Sequence, residues 1–312
     1  MNPKSKVLVT GGSGLVGYAL RSHLPEALYL SSKDCDLTNF KETSRLFNDY
    51  RPSVVLHLAA KVGGVKANMS FLGDFFRENS QINLNVLECS RLNNVKKVIS
   101  LLSTCVYPDE VIYPLTEDQI HLGPPHPSNY AYAYAKRMLD IQSQSYRDQY
   151  SCNFITAIPN NLYGPNDNYD LENSHVIPAL MRKIHEAKIN NTEVVVWGDG
   201  SPLREFTYSD DLAKILICLM EKYNSPEPIN VGNTSEYSLK SVVEILCNVM
   251  DYKGEIIWDT SKPMGQHKKP SSNKKLLNLG WDPEDYSDLK QSLTITYKWF
   301  RMNYPHLRGI NK

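Results

Sequence analysis

The stretch from Lys6 to Leu24 limits the possible folds of this chain more than any other. Lys6-Val-Leu-Val-Thr10 is a short apolar run, and Gly11-Gly-Ser-Gly14-Leu-Val-Gly17 follows it without a break. Leu15, Val16, Ala19, Leu20 and Leu24 then recur at helical spacing. A strand that turns through glycines straight into a helix opens a βαβ unit. The glycines permit a tight turn and let the backbone close on a dinucleotide pyrophosphate at the helix start. The spacing here is G-x-x-G-x-x-G, and glycines alone would also suit an ordinary strand–helix turn. The strand before and the helix after are what make it a fingerprint.

The same alternation continues. Ala27-Leu-Tyr-Leu30 reads as a second strand, and a helix with Phe40, Leu46 and Phe47 turned inward follows it. Ser53-Val-Val-Leu-His-Leu-Ala-Ala60 is a continuous apolar run, as buried parallel strands show. His57 inside it is expected to be a satisfied core histidine. Lys61-Val-Gly-Gly64 makes a loop at that strand's C-terminal end. A helix over about 68–93, the strand Val98–Leu102, a helix over 130–150 and the strand Asn153–Ile158 come next. Strands and helices alternate through the first 165 residues, which predicts an α/β fold with a doubly wound (Rossmann) parallel sheet. Beyond it the pattern gives a helix over about 175–187, the strand Val194–Trp197, a turn over 198–202 and helices near 209–222, 238–250 and 286–303. Residues 1–165 and about 203–232 are assigned to the dinucleotide-binding domain. Residues about 166–202 and 233–312 are assigned to a smaller C-terminal α/β substrate lobe.

Charge excludes some partners. Lys+Arg and Asp+Glu both number 34, so the formal net charge is zero, without the basic excess of a nucleic-acid or anionic-membrane surface. No stretch approaches the roughly 18 apolar residues of a membrane span. The six cysteines (35, 89, 105, 152, 218 and 247) are scattered with no C-x-x-C. They read as reduced thiols of a cytoplasmic protein and offer no zinc site. The start, Met1–Lys6, carries no apolar signal region.

Three further features carry chemistry. After the second strand comes Ser31-Ser32-Lys33, where an acidic residue would hold a ribose 2′-hydroxyl. Hydroxyls and a cation suit a 2′-phosphate, which favours NADPH over NADH, although Lys33 also fits a solvated surface position. Tyr132-x-x-x-Lys136 places a phenol and an ammonium on one helix face. That cation and a nicotinamide are expected to pull the phenol's pKa down from about 10, so that it serves as a proton donor to a carbonyl. Tyr29/Lys33 and Tyr286/Lys290 share the spacing, but neither follows a serine-ended strand. Tyr132/Lys136 does, behind Val98–Leu102 and Ser103. Two residues past that serine stands Cys105, a thiol that a plain reductase does not need.

On these residues the chain resembles the extended short-chain dehydrogenase/reductases that act on nucleotide sugars, nearly end to end. The segments that carry the resemblance are Val7–Gly17, Ser103–Pro108, Tyr132–Lys136, Asn161–Asn168, Ser174–Pro178, Trp197–Phe206 and Asp259–Pro263. Cys105 together with Ser174-His175-Val-Ile-Pro178 narrows it to the 3,5-epimerase/4-reductase branch. The resemblance implies an NADPH enzyme whose substrate is GDP-4-keto-6-deoxymannose. Inversion at C3 and C5 would use Cys105 and His175 as base and acid, and reduction at C4 would use Ser103, Tyr132 and Lys136. Cofactor contacts are implied for Gly11, Gly14, Leu15, Val16, Gly17, Lys33, Asp36, Leu37, Ala59, Asn83, Asn161 and Leu162. Substrate contacts are implied for Lys183, Trp197, Arg204 and Lys269, with Lys268 an alternative to its neighbour. A homodimer through helices near 70–94 and 130–150 is also implied. Lys183 stands where some relatives carry arginine, and Met264 where some carry an acid. A 4-epimerase or plain 4-reductase of the same fold, and a silent nucleotide sensor, are the competing readings.

Overall fold

The computed structural model describes residues 6–261 and 267–310; Pro263 and Met264 of the segments above lie outside them. The first half runs β1 (Val7–Thr10), α1 (Leu15–Leu20), β2 (Leu28–Leu30), α2 (Phe40–Tyr50), β3 (Val54–His57), α3 (Val65–Ser70), α4 (Leu72–Leu92), β4 (Lys97–Leu101), α5 (Tyr130–Tyr150) and β5 (Phe154–Ile158). The second runs β6 (Asn161–Tyr163), α6 (Val176–Asn190), β7 (Val194–Trp197), β8 (Leu203–Tyr208), α7 (Ser209–Lys222), β9 (Ile229–Asn230), β10 (Glu236–Ser238), α8 (Leu239–Met250), β11 (Ile256–Asp259), α9 (Lys274–Asn278) and α10 (Leu289–Asn303).

Six strands form one parallel sheet in the order β2-β1-β3-β4-β5-β9. Side chains alternate across it, so each strand serves two cores. Val7, Val9, Leu56, Ile99, Leu101, Ile155 and Ala157 pack with Val16 and Leu20 of α1 and Leu212, Leu216 and Leu219 of α7. Leu8, Val55, Val98, Phe154 and Ile158 pack on the other face with Phe47 of α2, Val86 and Leu87 of α4 and Leu139 of α5. Burial on both faces explains why these strands read as unbroken apolar runs. The chain leaves β1 for β2 on one side and β3 on the other, and the C-terminal ends of these strands frame the crevice where open α/β sheets bind ligands. A third core joins α6, α8, α10, β7 and β8 in the second lobe.

The helix expected over 68–93 is interrupted at Phe71 (φ −124°, ψ 41°), which divides it into α3 and α4. The segment 203–232 divides too. Helix α7 lies over α1, and β9 completes the main sheet. Strand β8 instead pairs with β6 and β10 in a separate three-stranded sheet. Short β10, β11 and α9 lie outside the elements expected from periodicity.

Candidate active site

The glycine turn is shaped by close packing. Gly11 holds φ +69°, and a Cβ there would stand 2.8 Å from the Ala59 nitrogen, so β1 and β3 approach each other only over a bare backbone. A Cβ on Gly17 would stand 2.6 Å from the Gly12 Cα. The first helical bond of α1 runs from Tyr18 N–H to Gly14 C=O. The amides of Leu15, Val16 and Gly17 precede it and have no intrahelical acceptor, as an anion-binding helix start requires.

At the end of β2, Ser31 donates through its amide (2.8 Å) and hydroxyl (2.6 Å) to Asp34, whose carboxyl these bonds hold below the usual carboxylate range. Ser31 is thereby engaged, while Ser32 and Lys33 are exposed. The carboxylate of exposed Asp36 accepts from the Thr38 amide and hydroxyl. Leu37 is a core side chain, so only its backbone can reach a cofactor.

Asn83, one of the cofactor candidates, is engaged within the protein. It is buried between α5 and β3, donates to Ala135 C=O (3.1 Å) and accepts from His57 Nε2 (3.1 Å). His57 Nδ1 in turn accepts from the Thr10 hydroxyl (2.8 Å). Burial, aided by the charge on Lys136, pushes His57 down to about 3, so it is a neutral link of a single tautomer. His57 is thus the satisfied core histidine that the sequence suggests. The polar atoms of Asn83 bridge the end of β3 and the second turn of α5.

Ser103 stands in extended conformation just past β4. A 3-10 turn over Thr104–Val106 brings Cys105 back beside it, with the Cys105 amide 3.5 Å from Ser103 Oγ. Helix α5 presents Tyr132 and Lys136 toward them. Lys136 Nζ donates to Leu101 C=O (2.8 Å) and lies 5.8 Å from the Tyr132 ring centre, while Phe75 packs edge-on against that ring. Arg137, which the motif search passed over, pins the turn. Its Nε donates to Val106 C=O and its Nη1 to Gly123 C=O, both at 2.7 Å. A buried arginine directly after the motif lysine is the only signal the sequence holds for it.

The charges behave differently from the sequence expectation at one point. Burial lowers Lys136 to about 8. Burial raises Tyr132, and the nearby Cys105 raises it further, instead of the phenol falling toward neutrality. Lys136 by itself does not offset the loss of water around the phenol. Burial also raises Cys105, against the pull of Ser103, Lys269 and Lys136. His175 is lowered by burial. Cys105, Tyr132, Lys269 and His175 are nonetheless all open to water.

His175 caps the N-terminus of α6 in extended conformation, at the end of a loop tied to the dinucleotide domain. In that loop Asn166 Nδ2 donates to Ser13 C=O (2.9 Å), and Asn173 C=O accepts from the Gly64 amide (2.9 Å). Asn161 Nδ2 donates to Glu205 C=O (2.9 Å), and Leu162 is half-buried. Among the substrate candidates, Lys183 Nζ donates to Val195 C=O (3.1 Å) and lies 6.0 Å from the centre of the Trp197 ring, which is 60% exposed. Arg204 is lowered by burial and raised by Tyr113, a neighbour that motif reading did not identify. Burial lowers Lys269, against the pull of Cys105 and Asp109 and with the help of the Arg204 charge, while Lys268 is exposed. Lys183 thus stands beside Trp197, and Lys269 lies within reach of the Arg204 charge. Among the described residues no group of three or more His, Cys, Asp or Glu could hold a metal ion.

Comparison with known proteins shows the family of the chain. The model of the NAD dependent epimerase/dehydratase family matches residues 7–232. The chain is 44% identical to GDP-L-fucose synthase of Dictyostelium discoideum over 98% of each chain. It is 42% identical to the probable GDP-L-fucose synthase of Drosophila melanogaster, covering 97% of this chain and 99% of that one. The crystal structure of a GDP-L-fucose synthetase from Naegleria fowleri bound to NADP superposes with a TM-score of 0.93 at 42% identity, over 99% of this chain and 96% of that one.

Proposed function

The chain belongs to the NAD dependent epimerase/dehydratase family, and we propose that it works there as a GDP-L-fucose synthase, converting GDP-4-keto-6-deoxy-D-mannose to GDP-L-fucose with NADPH. One observation carries this reading beyond a plain reductase. Cys105 is folded back beside Ser103, close enough to Tyr132 to raise its phenol; on this reading His175, at the start of α6, reaches the same substrate.

The cofactor site suits NADPH. The glycine turn leaves backbone amides for the pyrophosphate, and Ser32 and Lys33 stand exposed for a 2′-phosphate. Bound there, NADPH supplies the hydride for C4. The chain's own residues do the rest. The C4 ketone acidifies the hydrogens at C3 and C5 by delocalising the carbanion. Ser103 and Tyr132 hydrogen-bond the C4 oxygen and stabilise the enolate. Cys105 and His175 act on opposite faces, one removing a proton and the other returning one. In the free enzyme the raised thiol keeps its proton and the lowered imidazole is the open base, so the first inversion leaves thiolate and imidazolium and the second runs with the roles exchanged. The raised Tyr132 holds its proton until an alkoxide forms at C4, which then takes it.

Arg204 and Lys269 hold the diphosphate, Lys183 assists them, and Trp197 offers its exposed ring to the base. A homodimer through α4 and α5 is favoured by an apolar groove of about 330 Å³ lined by Leu72, Phe76, Tyr130 and Tyr134. A cytoplasmic setting is favoured by six unpaired cysteines.

The test is stoichiometry with a variant. The wild-type chain oxidises one NADPH per GDP-4-keto-6-deoxymannose and releases GDP-L-fucose. Cys105→Ser binds NADPH normally and loses GDP-L-fucose formation by roughly a hundredfold or more, as removal of a proton-transfer group does. Turnover with no net NADPH oxidation would instead mark a 4-epimerase.

A further inference from the structure

Strand β8 carries Arg204 and, on its other face, Glu205, a carboxylate only 3% exposed. Among the described residues no cation pairs with Glu205. Its Oε1 accepts from the Ser271 amide (2.8 Å), and its Oε2 from the Ser271 hydroxyl (2.6 Å) and from Asn160 Nδ2 (3.2 Å). A buried charge satisfied by neutral donors alone is an expensive way to hold a fold together. What it holds is a segment otherwise tied through its backbone, including Arg204 Nη1 to His267 C=O (3.4 Å) and Asn230 Nδ2 to Ser272 C=O (2.9 Å), with Ser271 the residue whose side chain and amide both reach Glu205. Residues 267–272 run beside β8 and Leu115 through Leu203 N–H to His267 C=O (2.8 Å), Leu115 N–H to Pro270 C=O (2.8 Å) and Ser272 N–H to Leu115 C=O (2.9 Å). Lys269 sits in the middle of that segment. The backbone carbonyl of Glu205 also accepts from Asn161.

We propose that Glu205 is a positioning residue for nucleotide binding: by clamping Ser271 it sets the place of Lys269 relative to Arg204 on the same strand. Two cations held close together repel until an anion lies between them. A pair spaced for the two phosphates of a nucleoside diphosphate therefore needs an anchor that does not itself neutralise either charge. Glu205 meets that condition because its oxygens face Ser271 and Asn160 and neither cation. The inference rests on the reading of Arg204 and Lys269 as the diphosphate contacts.

The test uses the full chain, with GDP and NADPH titrated separately by calorimetry. Glu205→Gln places an amide where an acceptor is needed and is expected to weaken GDP roughly tenfold. Ser271→Ala keeps the amide bond, loses only the hydroxyl bond, and is expected to weaken GDP by about threefold. NADPH affinity should stay within about twofold of wild type in both. Lys269→Met weakens GDP, and adding Glu205→Gln to it should cause no further loss, because the two act through one contact. GDP affinity unchanged in Glu205→Gln overturns the clamp. So do losses that multiply in the double variant, or equal losses for both ligands in both single variants. A wild-type chain that takes up NADPH but neither GDP nor UDP would overturn the nucleotide-sugar reading itself, and the inference with it.

Discussion

Cys105 and His175 ordinarily titrate on opposite sides of neutrality and are moved further apart. Burial raises the thiol above its ordinary 9.0 and lowers the imidazole below its ordinary 6.5. The competent pair holds one proton between its two members, whichever carries it. Below the imidazole pKa the pair gains a second proton and has no base; above the thiol pKa it has none to return. The kcat/KM for exchange of the C3 and C5 hydrogens, which reports the free enzyme, should therefore be flat across a window wider than 6.5–9.0 and fall on both sides. A narrow bell inside that window would show that burial does not govern the pair. Tyr132 follows the same physics. The Tyr-x-x-x-Lys pair is legible from its spacing together with the serine-ended strand before it, but the sign of the phenol's shift is not, because it depends on how much water the fold removes.

Helices α4 and α5 and strand β3 are joined by one chain of hydrogen bonds, from the Thr10 hydroxyl through His57 and Asn83 to the Ala135 carbonyl. Its members come from the end of the cofactor strand and from the residue before Lys136. Removing the central amide in Asn83→Ala leaves the His57 N–H buried without an acceptor. Denaturant unfolding should then show a loss of about 2 kcal/mol, with NADPH affinity unchanged. A selective loss of NADPH affinity at full stability would return Asn83 to the cofactor contacts. This network marks how far elements can be read from sequence. The glycine turn, the apolar runs of β1, β3, β4 and β5 and the span of α5 carry local, periodic signals, and the structure agrees with them. The membership of β8 in a second sheet, the break at Phe71 and the tasks of Asn83, Arg137 and Glu205 depend on partners tens of residues away. No local pattern encodes those pairings.

The whole molecule presents one face that a monomer would not be expected to keep. Phe76 and Leu84 of α4 and Tyr130, Tyr134, Met138 and Ile141 of α5 are all exposed, and apolar patches of this kind mark interaction surfaces. The account predicts a dimer in sedimentation equilibrium. Tyr134→Glu combined with Ile141→Glu should sediment as a monomer that retains the fold, while an unchanged mass would place the interface elsewhere. The proposed site joins reductase groups beside one core to His175 at the start of α6, which packs in another. The central claim is that this one site both inverts C3 and C5 and reduces C4. The most direct measurement is turnover of GDP-4-keto-6-deoxymannose with NADPH in heavy water, with the product's hydrogens read by NMR. The account predicts deuterium at both C3 and C5 of the sugar. Reduction at C4 that leaves both positions unlabelled would contradict it.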